Sequence, residues 1–185
     1  MELRKCRLDG LYDLVAPRLS DSRGYMQKPY DSRGFASAYG TDKVWRQIIV
    51  SHTAKVGTLR GLYVQRAPHT EGKAVVCLRG RMWWVVVDLR RASPTFGMWE
   101  GSDLAPGQGI FIEPGFAHGC IALADDTDLL LMADNDHSDT SGIGLLWNDP
   151  ELAIDWPLPS GAPTLSAAHA AGLSFSDFKA RHGAV

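Results

Sequence analysis

The sequence predicts an all-β domain with short helical appendages at its ends, on three observations. Short runs rich in Val, Ile, Trp and Tyr recur along the chain, nineteen glycines and ten prolines separate them, and helix signals are sparse. Regularly spaced strands divided by Gly/Pro turns are the pattern of an antiparallel sandwich or barrel. The 185 residues suit one domain spanning 1–185, because no composition shift, repeat or low-complexity linker divides them.

In chain order, the expected strands are Val44–Ser51, Leu59–Gln65, Lys73–Arg79 and Met82–Leu89, then Ile110–Glu113, His118–Leu123 and Asp128–Met132. Gly80–Arg81 reads as a tight hairpin turn, since glycine tolerates positive φ. The run MWWVVVDL is apolar at nearly every position. That predicts a strand buried on both faces or one facing a subunit partner. Asp149–Pro163 is proline-rich and is expected to lie on the barrel as an irregular, extended stretch. Ser174–His182 opens with capping-type serines and closes before Gly183, which predicts a short C-terminal helix.

Composition excludes several function classes. Nineteen basic against twenty-one acidic residues give a net charge of −2, which disfavours an electrostatic binder of nucleic acid or anionic membrane. Apolar runs are too short to span a bilayer, and MELRKCRLDG carries charges where a signal peptide would be apolar. Cys6, Cys77 and Cys120 are odd in number and widely spaced, as expected for reduced thiols in the cytoplasm. There is no Gly-rich phosphate loop, nucleophile elbow or Cys–His arrangement.

Six ordered strings carry more information. They are SDSRGY (20–25), GTLRGLYVQ (57–65), EGKAVVCLRG (71–80), VVDLRRASPTFGMW (86–99), EPGFAHGC (113–120) and WNDPELAIDWPL (147–158). In this order and spacing the chain resembles the dTDP-4-dehydrorhamnose 3,5-epimerase family of cupins, from about Leu8 to about Ser166. The resemblance implies a cupin jelly-roll barrel and a homodimer whose N-terminal strands pack across the interface. It implies a nucleotide-diphosphate-linked 4-keto-6-deoxyhexose as substrate and a reaction without cofactor. In that reaction a base removes the proton α to the 4-keto carbon, the enolate is held by nearby donors, and an acid returns the proton to the opposite face.

Residue by residue, the resemblance carries over unevenly. Arg23, Arg60 and His118 match positions facing the diphosphate or sugar, and arginine's planar fork suits phosphate. Gln47 matches a polar pocket position, and Lys73 a lysine placed to steady the sugar oxygen. The family's histidine base falls at Tyr63, its aspartate partner at His169 and its tyrosine acid at Leu131. An acidic position becomes Trp84 and an asparagine Ile49. A glutamate becomes Lys28, and an aromatic stacked on the nucleotide base becomes His137, which leaves thymidine first and cytidine second as the nucleoside.

A phenol with an ordinary pKa of about 10 is a poor base near neutrality, and leucine transfers no proton. Ordinary double epimerisation is therefore expected to be weak or absent. If the late segment folds as in the family, His169 lies beside Tyr63, and this pair moves one proton, supporting single-centre epimerisation, tautomerisation or dehydration. The alternative is a non-catalytic binder that keeps the diphosphate clamp. A metal site is not expected, because LYVQ lacks the His-x-His pair of metal-binding cupins and leaves His118 alone. His52, His69 and His182 carry no signal, and Arg90 and Arg91 are expected to stabilise a turn or an edge.

Overall fold

Two antiparallel sheets face each other across a barrel in the computed structural model, which describes residues 1–159 and 161–185. The first half of the chain forms β1 (Glu2–Lys5), β2 (Leu11–Val15), β3 (Arg18–Asp21), β4 (Gly24–Gln27), α1 (Ser32–Tyr39), β5 (Gln47–Thr53), β6 (Leu59–Gln65) and β7 (Lys73–Arg79). The second half forms β8 (Met82–Asp88), β9 (Trp99–Leu104), β10 (Gln108–Ile112), β11 (Phe116–Ala122), β12 (Thr127–Ala133), β13 (Gly142–Gly144), α2 (Ala167–Ala170) and α3 (Phe175–His182). One sheet has the order β1-β2-β10-β7-β12-β5 and the other β13-β6-β11-β8-β9, while β3 and β4 form a separate hairpin. This is the jelly-roll arrangement expected of a cupin.

The strand MWWVVVDL shows why both faces had to be apolar. Met82, Trp84 and Val86 point into the barrel interior with Val75, Ile110 and Phe116. Val85 and Val87 point the other way, into a second cluster with Leu62, Trp156 and Phe178. That outer cluster is closed by the chain after Gly144. Asp149 ties it down by accepting backbone hydrogen bonds from Leu152 and, at 2.8 Å, from Phe175. The expected irregular stretch thus covers a sheet; Ser160, which falls within it, lies outside the described residues.

The other sheet is covered by a helix that the sequence hides. Ser32–Tyr39 contains a glycine, has no acidic residue in its first turn and no side-chain cap at Asp31. Tertiary burial makes it a helix: Phe35 is fully enclosed and meets Phe111 edge-on, with ring centroids 5.1 Å apart. The short strands β1–β4 and β9 and the piece β13 also escape the pattern. The helix α3 has the expected serine cap, Ser174 accepting from the Asp177 amide.

Two surfaces remain apolar. Ile48 and Val50 stand exposed on β5, the terminal strand of its sheet, and Leu19 and Met26 on the β3–β4 hairpin. No helix is long and apolar enough to cross a membrane among the described residues.

Candidate functional site

A cavity of about 520 Å³ opens between the two sheets, and strand register explains its lining. On one wall, Gln47, Ala133 and Lys73 are cross-strand partners in a single row. The next row inward is Ile49, Leu131 and Val75. Directly opposed residues share a face, so the first row presents polar groups and the second a greasy floor. On the facing wall Tyr63 pairs with His118.

Arg60 and Tyr63 both line the cavity although three residues apart, a spacing that would put them on opposite faces of a regular strand. A bulge resolves this. Between His118 and Cys120 the partner strand advances two residues, while β6 advances three, from Tyr63 to Arg60. Gly61 makes the kink possible: its φ is 100°, and a Cβ there would sit 2.6 Å from Gly119 Cα.

The polar centre is a chain of three side chains. Lys73 Nζ donates to Glu71 Oε1 at 2.7 Å and lies 3.2 Å from His118 Nε2. Glu71 and Lys73 are nearly enclosed, with side chains 7% and 12% exposed. Ammonium groups only donate, so Nε2 of His118 is an acceptor and Nδ1 carries the ring proton. Burial, followed by the Lys73 charge, holds the His118 pKa well below the usual 6.5. The ring is therefore neutral at pH 7. Trp84 stacks on it, with centroids 5.7 Å apart and planes 15° apart.

Tyr63 is held from the other side. Its hydroxyl donates to Gln65 Oε1 at 3.2 Å and lies 3.5 Å from His137 Nδ1. Gly142 makes room for the phenol, since a Cβ there would lie 2.5 Å from the hydroxyl. Burial, then the charges of Glu71 and Asp139, push the Tyr63 pKa up to about 12. At neutral pH this group is a protonated donor. His169 sits on α2, its Nδ1 3.1 Å from Ser166 Oγ. Burial, then the nearby Arg60, lower its pKa below 6.5, so it is neutral at pH 7.

Seven of the nine residues expected at the site line this one cavity: Gln47, Arg60, Tyr63, Lys73, His118, His137 and His169. Two expected residues lie away from the cavity of their own chain, and one expected pairing is not formed. Arg23 does not reach the cavity of its own chain; it lies exposed on the β3–β4 hairpin, paired with Asp21 at 2.6 Å. Lys28 is likewise exposed just beyond that hairpin. Tyr63 does not bond to His169: its hydroxyl partners are Gln65 and His137, while the His169 ring bonds to Ser166 Oγ. Glu71 also lines the cavity, a position that the string it opens does not single out. It stands two before Lys73 and shares its face, a spacing that could have flagged it. Among the described residues, no three His, Cys, Asp or Glu side chains gather closely enough to hold a metal ion.

Comparison with known proteins agrees with this geometry. Residues 5–177 match the family model described as dTDP-4-dehydrorhamnose 3,5-epimerase. A Pseudomonas aeruginosa protein of that name is 38% identical over 167 residues, covering 89% of this chain and 91% of the relative. An epimerase structure from Mycobacterium tuberculosis superposes with a TM-score of 0.91 at 33% identity, covering 97% and 91% of the two chains. A 3′-monoepimerase from Streptomyces bikiniensis, solved in complex with dTDP-quinovose, superposes with a TM-score of 0.88 at 26% identity, covering 97% and 90%. Sequence, fold and match together place this chain in the dTDP-4-dehydrorhamnose 3,5-epimerase family.

Proposed function

We propose that the protein isomerises a dTDP-linked 4-keto-6-deoxyhexose in deoxysugar or polysaccharide biosynthesis, at one carbon centre rather than two. One observation carries this reading: Lys73, His118 and Tyr63 converge on a single cavity whose floor is apolar. Removing the proton α to the 4-keto group puts negative charge on the C4 oxygen. Lys73 is placed to donate to that oxygen, and a charged donor in a water-poor site favours the enolate strongly. His169, a neutral imidazole, accepts the α-proton. Tyr63, protonated at neutral pH, supplies a proton to the carbanion. Arg60 holds the diphosphate.

Restriction to one centre follows from what the cavity lacks. Leu131 and Ile49 form its inner row, where neither side chain can exchange a proton. The Streptomyces bikiniensis monoepimerase offers a precedent for action at a single centre within this fold.

The working unit is a homodimer in the cytoplasm. Exposed Ile48 and Val50 on a terminal strand, with exposed Leu19 and Met26 on a projecting hairpin, support strand pairing across a two-fold axis. Such packing would carry Arg23 and Lys28 of one protomer to the cavity of the other, restoring the second arginine of the clamp.

Incubation with dTDP-4-keto-6-deoxyglucose in heavy water, followed by NMR, tests the reading. Deuterium entering at C3 or C5 alone is expected. Deuterium at both carbons at equal rates would refute the restriction to one centre. A thermal shift with dTDP and no exchange at any carbon would leave a nucleotide-sugar binder without catalysis. Parallel shifts with CDP assign the nucleoside.

A further inference from the structure

We infer that His137 is a positioning residue that returns a proton to Tyr63 from solvent, through a relay of Asp139, His137 and Tyr63 running from the surface to the cavity wall. The inference rests on the isomerase reading above and deepens it. Resemblance to the family puts position 137 against the nucleotide base, but here its ring is turned toward the Tyr63 hydroxyl.

The geometry has three parts. First, the acceptor side of Tyr63 is fixed. Gln65 is buried and locked: its Nε2 donates to the carbonyls of His69 at 2.8 Å and Asp136 at 3.1 Å. Its Oε1 therefore faces Tyr63 and the Ser138 amide purely as an acceptor. With the Tyr63 proton directed at Gln65, a neighbouring group can only donate to the phenol oxygen. Second, His137 Nδ1 is that neighbour, 3.5 Å away, with the two rings 5.9 Å apart and tilted by 30°. Third, His137 Nε2 lies 3.1 Å from Asp139 Oδ1, and the side chains are 56% and 97% exposed. In its imidazolium form His137 donates both ways, to Tyr63 and to Asp139. Exposure thus rises steadily from phenol to imidazole to carboxylate.

The chemistry needs such a path. When Tyr63 gives its proton to the substrate carbon, the enolate electron pair becomes the new C–H bond and a phenolate remains. Glu71 and Asp139 both disfavour that anion, and a bound sugar blocks water from the cavity side. His137 takes a proton at Nε2 from water or buffer, Asp139 steadying the transient cation, and gives its Nδ1–H proton to the phenolate; the neutral ring, left protonated at Nε2, then returns to its Nδ1–H tautomer by exchange with water. The proton accepted by His169 leaves to solvent, so the cycle balances without a redox partner.

Chemical rescue separates this role from nucleotide contact. His137→Ala should lower steady-state kcat by about 10²-fold while KM stays nearly unchanged. Added imidazole should restore most of the loss, as a small mobile acid can replace the missing shuttle. Single-turnover isomerisation, which uses the proton already on Tyr63, should proceed at the wild-type rate. His137→Gln, which keeps a polar side chain but cannot shuttle, should behave like the alanine variant. A raised KM with unchanged kcat, or a kcat loss that imidazole leaves untouched in both variants, would overturn the relay. Exchange by the wild type with no effect in either variant sinks the relay alone. Absence of α-proton exchange in the wild type sinks the isomerase reading and the relay with it.

Discussion

Lys73 Nζ stands 3.2 Å from His118 Nε2 and 2.7 Å from Glu71 Oε1, so one ammonium group spans a carboxylate and a neutral imidazole at the cavity wall. The imidazole is neutral first because it is buried and second because the ammonium faces it. Lys73→Met removes the second cause and keeps the first. The His118 pKa should then rise but stay below 6.5, read from its ring-proton shifts by NMR. Turnover should fall about 10²- to 10³-fold, the usual loss for one oxyanion donor. Glu71 is left nearly enclosed without its partner, and stability should drop by about 3 kcal/mol. An unchanged His118 titration would mean that the ammonium does not face the ring in solution.

Glu71→Gln tests the carboxylate from the other end. Glutamine still accepts a hydrogen bond from Lys73, so packing should survive. One of the two charges that disfavour the Tyr63 phenolate is gone, and the midpoint should fall below about 12 while remaining above 10, because burial is the largest cause and Asp139 remains. Ultraviolet titration against a Tyr63→Phe control measures it. The sign for stability follows from the raised folded pKa. Stability tied to this phenol is complete below pH 10 and is lost as pH rises toward 12. The Glu71→Gln variant should therefore lose less stability than wild type across that window.

How much of this was legible beforehand differs by element. The strands Leu59–Gln65 and Lys73–Arg79 match their expected bounds, because their apolar runs are fenced by Gly, Pro and charged residues. The expected Val44–Ser51 strand starts three residues later, at Gln47, with Val44 exposed. The helix Ser32–Tyr39 was illegible since its order comes from Phe35 entering an aromatic cluster assembled by distant strands. In the site, single residues were legible where they sat in family strings, but their pairings were not. The partner of Tyr63 is decided by the bulge at Gly61 and by the turn that carries His137, both tertiary facts. Arg23 was identified by its string, yet its own chain offers it only Asp21.

Asp88 offers a test of the acid limb of stability. It is buried at the end of β8 and accepts from Arg90, Ser93 and Thr95. Arg90 thus stabilises a turn, as its string suggested. Burial alone would raise the Asp88 pKa, but these hydrogen bonds, Arg90 foremost, outweigh it and bring the value to about 2 from 3.8. A depressed folded pKa contributes stability above 3.8 that disappears as pH falls toward 2. The shift corresponds to roughly 2 kcal/mol. Denaturant midpoints measured between pH 4 and pH 2 should fall for wild type, and the fall should be shallower in Asp88→Asn. Identical slopes in both proteins would assign the acid limb to other carboxylates.

The exposed pair on β5 offers the last test, of assembly and site together. Ile48 and Val50 sit on a strand paired on one side only, by β12. An apolar terminal strand of this kind is a template for pairing with another chain, and lysine is the residue that proteins place on such edges to prevent it. Val50→Lys should convert the proposed dimer to a monomer in sedimentation velocity without lowering the thermal midpoint of the chain's own core, because residue 50 is 65% exposed. If Arg23 completes the clamp across the interface, this monomer should also bind dTDP more weakly, and Arg23→Ala in the intact dimer should weaken it by a similar factor. A Val50→Lys monomer that binds dTDP as tightly as wild type would show that the groups lining one chain's cavity, Arg60 and His118 among them, suffice for binding.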